Sequence, residues 1–123
     1  MAVTTTTASS PLVEKIITDT DSDATVETAA SAEQDLYFVE VTNPNSVAVY
    51  TKLIAAAGSS TTTQHYIQLY CPANTTCYTY IPVSTVIGTG LQFYTSTSAG
   101  AVVSQTGPDS DVTVKIGYTL TGN

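Results

Sequence analysis

The clearest pattern in the chain is Val112-Thr-Val-Lys-Ile-Gly-Tyr-Thr-Leu120. Val112, Val114, Ile116, Tyr118 and Leu120 fall on one side of it, and Thr113, Lys115 and Thr119 on the other. A period of two marks a half-buried antiparallel strand, because successive side chains of an extended backbone point to opposite faces. Shorter runs of the same kind cover Leu12 to Thr18, Leu36 to Val41, Val47 to Ile54 and Leu91 to Thr95. The runs ending at Val41 and Ile54 predict a strand pair joined at Asn43-Pro44-Asn45. Proline presets φ there, and asparagine bonds its own backbone.

Loops are predicted at Gly58-Ser59-Ser60, Ser98-Ala99-Gly100 and Gly107-Pro108-Asp109-Ser110. Helical periodicity is weak and confined to Thr25 to Glu33. About seven or eight short strands at this turn spacing predict an all-β fold. The expected architecture is a single antiparallel β-sandwich, Ig-like or jelly-roll-like, over residues 11–123. Residues 1–10, polar from Thr4 to Ser10, have the composition of an extended N-terminal arm.

The middle of the chain predicts a second hairpin. His65-Tyr-Ile-Gln-Leu-Tyr-Cys71 and Cys77-Tyr-Thr-Tyr-Ile81 flank Pro72-Ala-Asn-Thr-Thr76. If the two runs pair, Cys71 faces Cys77, Tyr70 faces Tyr78 and Ile67 faces Ile81. Ile67, Leu69, Ile81 and Val83 then point to the core, and Tyr66, Gln68, Tyr70, Tyr78 and Tyr80 point outward. A one-residue slip would exchange the faces.

Composition supports strands. Of 123 residues, 24 are threonine and 12 serine; threonine is stiff at χ1 and favours extended backbone. The length suits one domain. Ten acids against Lys15, Lys52 and Lys115, with no arginine, leave a net charge of −7. This excludes nucleic-acid binding through phosphates, and with it attraction to anionic lipid. Eight of the ten acids precede residue 41, so the amino-terminal half is expected to be the negatively charged part. No run approaches the roughly 18 apolar residues of a membrane span. The amino terminus has neither the basic start nor the apolar run of a secretory signal. Two cysteines are too few for a disulfide scaffold.

Candidate chemistry is sparse. Cys71 and Cys77, if directly opposed, lie within bridging range; the alternative is two reduced thiols packed as small hydrophobes. Their spacing is not a zinc motif. The single histidine, His65, lies six residues from Cys71, roughly 20 Å along a strand, too far for a Cys–His pair. No Gly-x-Ser-x-Gly elbow is present. Asp19, Asp21 and Asp23 alternate, with Glu27 following, and could converge on a calcium ion. However, Ala24 stands where an EF-hand needs glycine, and Ala30 where it needs the bidentate glutamate. The alternative is a solvated acidic turn. Asn74-Thr-Thr76 matches a glycosylation sequon. The tyrosines Tyr66, Tyr70, Tyr78 and Tyr80 have three readings: a sugar-stacking platform, an oligomer interface, or plain β-propensity. No enzyme is expected, and no cofactor.

Four pieces from Val39 to Ser98 follow one another in a recognisable order. They are Val39-Glu-Val-Thr-Asn43-Pro-Asn-Ser46, then Val49-Tyr-Thr-Lys-Leu53, then the edge Ile81-Pro82-Val83, and last Gly88-Thr-Gly-Leu-Gln-Phe93 with its following threonines. This order resembles small virion proteins of tailed bacteriophages, cyanophage-like ones in particular, over about half the chain. The Cys71–Cys77 loop and the acidic segment depart from that pattern. The resemblance implies a β-sandwich subunit present in many copies on a particle, with nothing catalytic. The expected role is a capsid decoration or cement protein on the outer head surface, assembled in the host cytoplasm. Its partners would be the major capsid protein and copies of itself, as a homo-oligomer such as a trimer. Expected contacts are the arm, with Thr4, Thr5 and Thr6, and the tyrosine face. The alternatives are a neck, tail or fibre subunit, and a carbohydrate-binding module.

Overall fold

The computed structural model describes residues 3–7, 15–30, 34–55, 67–87, 90–100 and 105–120. These form nine strands: β1 (Val3–Thr7), β2 (Lys15–Ser22), β3 (Glu27–Ala30), β4 (Gln34–Asn43), β5 (Val49–Ile54), β6 (Ile67–Cys71), β7 (Thr75–Ile87), β8 (Leu91–Ser96) and β9 (Val112–Leu120). They build two open antiparallel sheets packed as a β-sandwich, ordered β1-β2-β9-β4-β7 and β3-β8-β5-β6. The strands exceed the predicted number because Val3–Thr7 and Glu27–Ala30 are strands too. The first, expected as an extended arm, pairs with β2 from Val3↔Asp19 to Thr7↔Lys15. The second, where helical periodicity was weak, turns Ala29 and Ala30 into the core and pairs with β8.

Alternation sets the faces as expected. Val112, Val114, Ile116 and Tyr118 of β9 are buried, joined in the core by Ile17, Leu36, Val39, Val41, Val49, Leu53, Leu91 and Phe93. A buried hydroxyl pair bridges the two sheets: Thr95 Oγ1 lies 2.8 Å from Ser22 Oγ, and it is also 2.9 Å from Thr51 Oγ1 of its own sheet. These inward hydroxyls are tolerable among apolar neighbours because they satisfy one another.

Strand pairing departs from the prediction twice. β4 and β5 do not pair; they lie in opposite sheets, and Asn43-Pro44-Asn45 is a corner between layers. Asn43 and Asn45 are both buried there. Asn43 Nδ2 donates to the carbonyls of Val47 (2.9 Å), Pro72 (3.0 Å) and Cys71 (3.3 Å). Its Oδ1 accepts the backbone and side-chain N–H groups of Asn45, both at 2.9 Å. Asn45 in turn exchanges two hydrogen bonds with the Ser110 backbone, at 3.1 and 2.7 Å. These side chains supply the corner's hydrogen bonds, so no ladder between β4 and β5 is needed.

Likewise β6 and β7 do not form a hairpin. Cys71 is opposite Val49 and Ile67 opposite Leu53, whereas Cys77 is opposite Val41. The expected pairs Cys71–Cys77, Tyr70–Tyr78 and Ile67–Ile81 are therefore replaced by pairs to β5 and β4. A short turn at residues 72–74, with Asn74 in the left-handed region (φ 52°), carries the chain from one sheet to the other.

Part of the outer face of the smaller sheet, around Lys52, is itself covered. Lys52, within the strand run Val47 to Ile54, is 0% exposed. Its ammonium donates to the carbonyls of Ser98 (2.5 Å) and Gly100 (2.6 Å), to Gln105 Oε1 (2.8 Å) and to Ser96 Oγ (3.2 Å). It also lies 5.2 Å from the ring centre of the buried Tyr94. Burial lowers its pKa. Oxygen dipoles and a ring face, not a carboxylate, hold this cation among the described residues, and they fasten the segment after β8 over the sheet.

Candidate functional site

With β7 and β6 packed along one side of the sandwich, the described tyrosines keep their outward direction but divide between two faces. Tyr70, Tyr78 and Tyr80 are each 57% exposed. Tyr78 stacks on Phe38 of β4, with centroids 5.5 Å apart and planes at 17°. Phe38 can lie flat because its strand neighbour is Gly117, where any Cβ would strike the ring. Tyr70 sits on the other sheet against Tyr50, at 5.5 Å and 57°. There is thus no single ladder; two aromatic patches flank one edge. Tyr66 and His65 lie outside the described residues. Thr4, Thr5 and Thr6 are exposed on β1, at the opposite edge of the larger sheet.

The acidic residues gather on that opposite side, on β2 and at the start of β3. Asp19 is at an inward position and is 0% exposed. Its Oδ1 accepts the Asp21 N–H at 3.1 Å, and its Oδ2 has no hydrogen-bond partner among the described residues. Burial, then contact with the Asp21 carboxyl and the charge of Glu27, push its pKa up to about 7, outweighing the Asp21 N–H. Glu27 is raised as well, first by burial and then by Asp23 and Asp21. Asp23 Oδ1 instead accepts the Thr25 N–H at 2.9 Å, closing the turn. Among the described residues no three His, Cys, Asp or Glu side chains form a group able to hold a metal ion, so Asp19, Asp21 and Asp23 are not brought together as ligands.

Cys71 and Cys77 are free thiols. Cys71 is buried and donates to the Thr75 carbonyl at 3.2 Å; burial and then the neighbouring Cys77 raise its pKa to about 12. Such a thiol is a poor nucleophile. An open cleft of about 430 Å³, lined by Val47, Tyr50, Thr97, Thr106 and Asp109 among others, holds no nucleophile–base pair.

One signal passed over above organises the surface. From Leu53 to Pro108 the chain contains no Asp, Glu, Lys or Arg. That span includes the whole of β6, β7 and β8. Charge spacing along the sequence would have found it. β6 and β7, which bear the exposed tyrosines, are thus uncharged strands, whereas β2 and the start of β3 carry Asp19, Asp21 and Glu27; Glu40 of β4 is the charged residue across from Tyr78. Comparison with protein-family models, curated proteins and solved structures finds no match.

Proposed function

We propose that this chain is a non-enzymatic structural protein of a tailed-phage particle, a decoration or cement subunit that binds the outer head surface and stabilises the shell. The observation that carries the reading is the exposure of Tyr70, Tyr78 and Tyr80 on β6 and β7, two strands without a charged residue. Exposed tyrosine with little charge around it is the composition of an interface core. The resemblance of residues 39–98 to small virion proteins supports the assignment. Acidity suits a surface turned away from packaged DNA. Open sheet edges give a shell subunit backbone groups with which to pair. Partners are the major capsid protein and copies of this chain.

The test is the copy number of this chain in purified particles, by quantitative peptide mass spectrometry against the major shell protein. Hundreds of copies in simple ratio to the shell subunit are expected. A dozen or fewer would move it to the neck, tail or a fibre, where small cyclic rings are built. Absence from particles would overturn the virion reading.

A further inference from the structure

We propose that two copies of this chain associate edge to edge along β7, antiparallel, so that the larger sheet runs continuously through the dimer. This deepens the assembly reading, on which its biological use rests.

Four observations lead to β7. Among the described residues it pairs with β4 alone, so its other side is a sheet edge there. From Thr75 to Tyr80 it stays in regular register with β4. Beyond Tyr80 the register shifts: Phe38 is opposite Tyr80, but Leu36 is opposite Thr85. The intervening stretch contains Pro82, so the usable edge is short and self-limiting. Exposed edges are protected from pairing by charge, proline or a bulge, and Thr75–Tyr80 has no proline and no bulge. Thr75–Ile87 carries no charge.

Charge selects the occupant. A basic partner would be drawn to the side that holds Asp21, Asp23 and Glu27, not to this one. A second copy, also at −7, is repelled there and meets least opposition at the uncharged edge farthest from those acids. The nearest charged positions on the same outer face are Glu40 and Lys115, which have opposite signs and face each other in register.

A two-fold axis makes the edge complementary to itself. With the axis at Thr79, Tyr78 of one copy lies across from Tyr80 of the second, twice over. Aromatic pairs of this kind stabilise neighbouring strands. The Phe38 stack already holds the Tyr78 ring, so less freedom is lost on docking.

The experiment is sedimentation equilibrium on the purified full chain from micromolar to sub-millimolar concentration. Wild type should show a monomer–dimer equilibrium. Tyr78→Lys/Tyr80→Lys places lysines against lysines and should weaken it at least tenfold, although it lowers the net negative charge. Tyr78→Glu/Tyr80→Glu should weaken it as well. Mixing the lysine and glutamate variants should restore a dimer, which a misfolded variant could not do. Thr5→Lys, on the β1 edge, should change nothing. A wild type monomeric throughout, a lysine variant as dimeric as wild type, or no rescue on mixing would overturn the proposal. Particle copy number tests the virion reading separately, so either can fail alone.

Discussion

Asp19 turns its carboxyl into the core, where Oδ1 accepts the Asp21 N–H at 3.1 Å, Oδ2 has no hydrogen-bond partner among the described residues, and the Asp21 carboxyl is a close neighbour. A protonated Asp19 carboxyl resolves the arrangement, since it can donate to the Asp21 carboxylate. An ionised one leaves two like charges together in a desolvated place.

Stability should therefore fall as pH rises. The folded pKa of Asp19, about 7, lies above the ordinary aspartate value of 3.8. Its contribution is complete below the unfolded pKa and is lost as pH climbs through the folded one. The loss is on the order of 3 kcal/mol, and Glu27 adds to it in the same direction. Urea unfolding from pH 4 to 8 measures this. Asp19→Asn should flatten most of the slope; an unchanged slope would exclude Asp19 as its source.

Replacing Lys52 by Met keeps the length of the side chain and removes the charge. Four oxygen contacts are lost together, at a cost of about 3 kcal/mol. The segment from Ser98 to Gln105 should become open to proteolysis while the sheets persist. Limited digestion with mapping of the first cut, alongside the unfolding midpoint, checks both halves of the expectation.

At the corner between sheets, Asn43→Ala should cost about 2–4 kcal/mol, since three carbonyls and the donors of Asn45 lose their partner. Asn43→Asp has the same shape but turns an oxygen toward those three carbonyls. At neutral pH it should be at least as damaging. Thermal unfolding of the two variants decides; a harmless aspartate would mean that shape, not hydrogen bonding, holds the corner.

The two thiols should differ in reactivity. Cys71 is buried and its pKa is raised to about 12, whereas Cys77 is half-buried. Iodoacetamide applied to the native protein should label Cys77 and leave Cys71 until denaturant is added, as peptide mass spectrometry would show. Equal labelling in the native state would contradict the placement of Cys71.

Strand identity and facing were legible in residues such as Val112, Val114 and Ile116, or Tyr70, Tyr78 and Tyr80. Their period of two is a local property of extended backbone and needs no knowledge of a neighbour. The absence of charge between Lys52 and Asp109 was equally present in the sequence. Pairing was not legible. Runs flanking a turn-rich segment read as hairpins, yet Asn43 with Asn45, and the turn at 72–74, carry the chain across the sandwich instead. Hairpin and crossing both keep the same faces inward, so alternation cannot separate them; the choice depends on non-local contacts and on side chains that satisfy the corner. Burial of Lys52 and Asp19 belongs to the same class. Each sits at an ordinary position in its strand, and only the segment folded over the one and the sheet packed against the other exclude water from them.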